Sequence, residues 1–295
     1  MKINHYITAR ADNPFWLEID HLGLKYKDGG TTILGPGTSV LNVTEDQAEW
    51  PEVERLVAEY GLLGDSAGAV YTKRDLDTAE RLTISATNAQ HYPQPEDDLG
   101  YYDQTYDPSS CARCGIHGEQ TAPFRISGEP KAKTQQFLGL HWAHDALFVR
   151  TEAEYALTRS GVTGIDFRPL LVSAKGAMSG EAVQMNVLTT LPPALDTAGL
   201  QKITCMANNE EGFEPMSVSR RSFPYCGHVK YHHYLRGPLR FDQAALDGAP
   251  DVVKTAEWFG SGGSASRLIV VSQKFRQDAL AAEWRGLVFT PIELA

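Results

Sequence analysis

Trp50, Val53, Val57 and Tyr60 recur at the three-and-four spacing of one helix face, and Gly61 ends the pattern. Thr44 stands ahead of them as a hydroxyl cap, with Gln47 three residues on to complete a capping box, so a helix is expected to begin near residue 44. Upstream, the short β-prone runs F-W-L-E-I (15–19) and L-K-Y (24–26) alternate with the turn signals K-D-G-G and G-P-G, which predicts strands and tight turns. A shorter helix is expected after Thr72, with Leu76, Ala79 and Leu82 on one face, leading into a strand at residues 82–84. From Ala86 to about Ser110 no period survives. A loop of that length inside a domain is either functional or packed by its own side chains.

Two later segments carry the same pattern. Residues 147–170 and 268–292 each open on an apolar strand, place a hydroxyl at the helix start (Thr151, Ser272) and continue for about ten helical residues. Both close on Gly-x-x-Phe-x-Pro: Gly164, Phe167 and Pro169 against Gly286, Phe289 and Pro291. A duplication is expected. Upstream of the first copy lies C-A-R-C-G (111–115), and upstream of the second lies F-P-Y-C-G (223–227), with Phe223 where a cysteine would match. The stretch G-S-G-G-S (260–264) reads as a flexible loop inserted in the second copy.

Those cysteines are the strongest chemical signal. A Cys-x-x-Cys-Gly turn supplies two thiolates, and structural zinc takes four ligands in a tetrahedron. Cys111 and Cys114 would be one half; Cys226, with Cys205 or a histidine, would be the other. A redox role fits less well, because Cys114 runs into Gly-Ile-His-Gly rather than a helix start.

The pattern resembles the double-CxxCG immunity-type proteins of bacterial toxin systems, over about residues 100–295. It does so through the knuckle at 111–115, a second about a hundred residues on, and the C-terminal L-I-V-V-S … R-G-L-V-F-T-P-I-E-L. The resemblance implies a cytoplasmic protein that binds a toxin without chemistry of its own, and carries over to Cys111, Cys114 and Cys226 as knuckle positions. Phe223 departs from it.

Charge and composition narrow the partner. The net charge of −10 disfavours nucleic acid and anionic membranes, although Ser219–Arg221, Lys230 and Arg236 form a locally basic stretch. No apolar run suits a signal peptide or a membrane span, so a cytoplasmic location with reduced thiols is expected. The natural partner of such a chain is a basic protein. Within the aperiodic loop, Tyr92, Tyr101, Tyr102 and Tyr106 stand among Asp97, Asp98, Asp103 and Asp107, a composition suited to that contact; alternatively the tyrosines cover the knuckle.

Catalytic motifs are sparse. His141 and His144 stand three residues apart, and His228, His232 and His233 cluster with Tyr231 and Tyr234. Either group could serve a metal-dependent, hydrolase-like enzyme, which would also need a carboxylate base and an open coordination position. The expectation is therefore an α+β protein with an N-terminal α/β region (1–90) followed by two related knuckle plus strand-helix-strand modules (91–180 and 181–295, the second degenerate). Its expected function is non-catalytic binding, with zinc as a structural cofactor.

Overall fold

Asn13 accepts the Phe15 N–H at 2.9 Å and turns the chain into a helix where β-prone residues predicted a strand. The computed structural model describes residues 1–32, 35–62, 66–111, 113–131, 134–205, 226–233 and 236–295. Contacts divide the chain into one unit of residues 1–75 with 234–238 and another of residues 76–233 with 239–295. Both units mix helices with sheet that is mostly antiparallel, and the fold class is α+β.

The first unit is built on β1 (Lys2–Arg10), α1 (Phe15–His21), β2 (Tyr26–Lys27), β3 (Thr38–Thr44), α2 (Trp50–Glu59) and β4 (Ser66–Val70). Its strands lie in the order β2-β3-β1-β4. Phe15, Trp16 and Ile19 of α1 and Trp50, Val53 and Leu56 of α2 share one core with Ile7, Leu41 and Val43. Burial on a helical face overrode the β propensity of 15–19. Thr44 ends a strand instead of capping a helix: its N–H bonds the Gln47 side chain at 2.7 Å, and α2 starts six residues later, with Pro51 in its first turn. The expected cap at Thr72 does form, in a reciprocal exchange with Asp75 at 2.8 and 3.2 Å ahead of α3 (Lys73–Thr78).

In the second unit the chain runs through β5 (Arg81–Ala86), α4 (Tyr101–Thr105), β6 (Arg125–Ile126), β7 (Phe137–Gly139), β8 (Leu147–Arg150), α5 (Thr151–Ser160) and β9 (Ile165–Val172). It then passes through β10 (Ala177–Val187), β11 (Lys202–Thr204), β12 (Val229–Tyr231), β13 (Val252–Phe259), β14 (Ser266–Ser272), α6 (Gln273–Ala281) and β15 (Leu287–Pro291). One sheet has the order β6-β9-β10-β8-β7, the other β11-β12-β13-β14-β5-β15.

These orders reveal the repeat and how its copies interlock. β8-α5-β9 and β14-α6-β15 are the matching strand-helix-strand units, and each leaves a gap of one strand between its two strands. β10, which opens the second copy, fills the gap in the first (Val149↔Val183, Ile165↔Val187). β5, which opens the first copy, fills the gap in the second (Val271↔Leu82, Leu287↔Ala86). The copies have exchanged strands. The chain therefore repeats as about residues 81–172 and 177–291, and β5 belongs with the second unit rather than with the region 1–90.

Backbone bonds between the copies are reciprocal. Thr163 O accepts from Val252 N–H and Arg285 O from Phe137 N–H, both at 3.1 Å. Gly164 O accepts from Leu188 N–H and Gly286 O from Thr87 N–H, both at 2.9 Å. The shared glycines are thus close-approach positions: Gly164 (φ +88°) and Gly286 (φ +102°) press on the other copy's strand, where a Cβ would lie 2.2 Å from Val252 O or 2.1 Å from Phe137 O. Only one expected cap holds among the repeat helices. Ser272 accepts the Phe275 N–H at 3.2 Å, whereas Thr151 lies inside α5.

Gly286→Ala should cost about 3 kcal/mol or more, because positive φ and a backbone clash act together. Gly161→Ala, at φ +68° with open space around it, should cost only about 1–2 kcal/mol. Urea unfolding measures both, and equal losses would contradict the close approach.

Candidate metal centre

The turn at 111–116 is drawn tight by Gly115 N–H to Cys111 O (2.9 Å) and Cys111 N–H to Ile116 O (2.7 Å). Gly115 takes φ +79°, and a Cβ there would lie 2.4 Å from Gly263 O. In the second copy Cys226 precedes β12, and Gly227 (φ +71°) sends its N–H to Cys205 O at 2.9 Å. Cys205 follows β11, the antiparallel neighbour of β12. Phe223, where the motif lacks its cysteine, lies outside the described residues. Cys205 provides the fourth sulfur from the adjacent strand.

The four Sγ atoms lie within 4.8 Å of one another, three on buried residues and the fourth on exposed Cys226. Cys114 and Cys226 are 3.7 Å apart, against an edge of about 3.8 Å for a tetrahedron with metal–sulfur bonds of about 2.3 Å. Backbone amides point at the sulfurs: those of Arg113 and Cys114 at Cys111, that of Ile116 at Cys114, and that of His228 at Cys226. Such amides support thiolate charge. Four free thiols in this arrangement could hold a metal ion such as zinc.

Proton sharing within the cluster follows its hydrogen bonds. The Cys114 thiol donates to Cys111, which with the turn amides holds Cys111 at about 4 despite burial. The same bond, reinforced by burial, pushes Cys114 well up. Burial raises Cys226 to about 11.

Lys230 is the residue that sequence reasoning missed. Rather than joining a basic surface stretch, it is 1 % exposed. Its Nζ donates to Cys114 O (2.9 Å), Gly262 O (2.6 Å) and Ser264 O (2.8 Å), matching an ammonium's three donors with three carbonyls. The loop 260–264 is therefore no linker: it cradles Lys230 and packs on Gly115. Of the other basic residues, Ser219–Arg221 lie outside the described residues, and Arg236 pairs with Glu45.

No family model and no curated protein matches this chain. The site is read from its own geometry.

Among the described residues, the cysteine quartet is the only set of three or more His, Cys, Asp or Glu ligand atoms gathered closely enough for one metal ion. His141 stacks on Tyr92 at 4.4 Å, and burial lowers the pKa of both His144 and His233. His228 contributes its backbone N–H to Cys226. Among the described residues, neither histidine group gathers three ligand atoms closely enough for one metal ion.

Three of the tyrosines expected at a contact surface lie in the core. Tyr101, Tyr102 and Tyr106 are buried with Phe124 and Phe148, and Tyr102 donates to Gly115 O at 3.1 Å, so they cover the knuckle. Tyr101, Tyr102 and Thr105 share the buried face of α4 and Tyr106 follows as its extended C-cap, a spacing present in the sequence. Tyr92 is partly buried, while Asp97 and Asp103 are exposed; the side chain of Asp98 lies outside the description. Asp107 has a structural task, accepting the N–H of Ser109 at 2.8 Å and of Glu119 at 2.7 Å.

Replacing Lys230 by methionine would leave three carbonyls without their donor. Stability should fall by about 3 kcal/mol, and thiol reagents should reach Cys114 faster, as followed by urea unfolding and absorbance of the released chromophore. Unchanged stability would show that the ammonium is dispensable.

Proposed function

We propose that this chain is a non-catalytic, cytoplasmic binding protein, an immunity-type protein that neutralises a basic bacterial toxin by direct binding, and that its cysteine quartet holds structural zinc. The observation that carries the reading is the closed sulfur set: with all four positions supplied by cysteine, a metal there has no coordination site for substrate or water. Each copy contributes two sulfurs, so the metal cross-links the repeats and stabilises their association. A net charge of −10 supports attraction to a basic partner. That no helix among the described residues is long and apolar enough to cross a membrane agrees with this reading.

The contact surface is narrower than composition suggested. With the three core tyrosines removed, the exposed carboxylates Glu96, Asp97 and Asp103 remain beside Tyr92. They suit steering of a basic protein rather than an apolar anchor.

Two measurements test the proposal. Metal analysis of the gently purified protein should find about one equivalent of zinc, and Cys114→Ser or Cys205→Ser should lower it sharply; less than about a tenth of an equivalent in the parent protein would refute a tightly held structural metal. Co-expression with a toxin encoded beside it should restore growth. Asp97→Asn, Asp98→Asn and Asp103→Asn together should then slow association about tenfold at low salt. Equal rates and equal salt dependence would remove the contact from this loop.

A further inference from the structure

A cavity of about 450 Å³ lies between the two repeats, and Trp258 in its wall packs against the cysteine cluster. Asp145 stands in its wall, 3 % exposed, with His117 Nε2 at 3.2 Å and Lys254 Nζ at 3.8 Å. The backbone N–H of Arg267 comes within 3.4 Å of the same carboxylate. The Arg267 guanidinium lies over the Trp258 ring at 4.7 Å, and its Nη1 donates to Thr190 Oγ1 at 2.9 Å. Burial opposes the charge on Asp145, but Lys254 and His117 outweigh it and hold the carboxyl well below the usual range.

Polar atoms around the cavity lack hydrogen-bond partners. Arg267 Nε is buried without a hydrogen-bond partner. His117 Nε2 lies 3.2 Å from Asp145, and its Nδ1 donates to Gly118 O at 3.0 Å. Lys254 Nζ has the 3.8 Å ion pair with Asp145 but no hydrogen bond among the described residues. Of the other carboxylates, Asp107 binds backbone amides, Glu119 lines the cavity and is exposed, and Glu257, outside the lining, accepts from Ala194 and Leu195 through Oε1 while its buried Oε2 has no partner. A buried donor without an acceptor is costly, and a ligand oxygen in the cavity would supply one to Arg267 Nε and Lys254 Nζ.

The fold itself does not demand these charges. Lys254 N–H bonds Thr189 O, as Gly139 N–H bonds Asn88 O in the other copy, so Lys254 stands where its counterpart is glycine. Asp145 and Arg267 likewise occupy matching positions two residues before Leu147 and Ile269, and they meet here with opposite charge.

We propose that this cavity binds a small molecule carrying an oxyanion, a carboxylate or a phosphate group, which accepts from Lys254 Nζ and Arg267 Nε. Trp258 forms part of the wall and provides a fluorescence report.

The test is titration of the intact protein with sodium phosphate and with sodium acetate, by calorimetry and tryptophan fluorescence, with sodium chloride at matched ionic strength as control. Saturable one-site binding of either probe beyond the chloride response is expected; tighter phosphate indicates a phosphate ester as the natural ligand, and tighter acetate a carboxylate. Lys254→Met should weaken binding at least tenfold while the quartet keeps its metal content, and Arg267→Leu should do the same if it folds. A response no different from chloride, or unchanged affinity in Lys254→Met, would overturn the proposal.

Discussion

The second unit depends on a reciprocal strand exchange. β5 and β10 each complete the sheet of the copy they do not belong to, and an internal strand left unfilled would expose the backbone groups of both neighbours. Neither repeat can close its sheet alone. Everything described as a site lies downstream of this constraint. The sulfurs come two from each copy because the copies are interlocked, and the polar cavity lies between strands that the exchange brings together.

Much of this was legible, for physical reasons that differ by element. The repeat helices between apolar strands were recognisable because apolar period and turn glycines pointed the same way, although only Ser272 of their two expected caps forms. The cysteine quartet could be named because four reduced cysteines, two in a knuckle, leave few arrangements. Phe223 concealed only where the fourth sulfur would come from, since the pairing of β11 with β12 brings Cys205 in from a distant part of the chain.

The failures share a cause. Lys230, the 260–264 loop and the tyrosines of α4 have surface or linker composition, yet each is buried or engaged by a partner remote in sequence. Composition reports solvent preference, not whether three carbonyls will converge on one ammonium. The strand exchange was hidden for the same reason: Leu82 and Ile84 mark a strand, but nothing within it specifies β14 and β15 as neighbours.

Strand exchange also orders events in time. β5 spans residues 81–86, whereas its neighbours β14 and β15 lie at residues 266–272 and 287–291. The six-stranded sheet therefore cannot be finished until β14 and β15 have been synthesised, and its loop-closure entropy is met only then. Until then β5 carries two open edges and an apolar face, so a nascent chain passes through a stage prone to pairing with a second copy of itself. The covalent tandem linkage keeps the correct partner at high effective concentration and makes the intramolecular exchange the faster outcome.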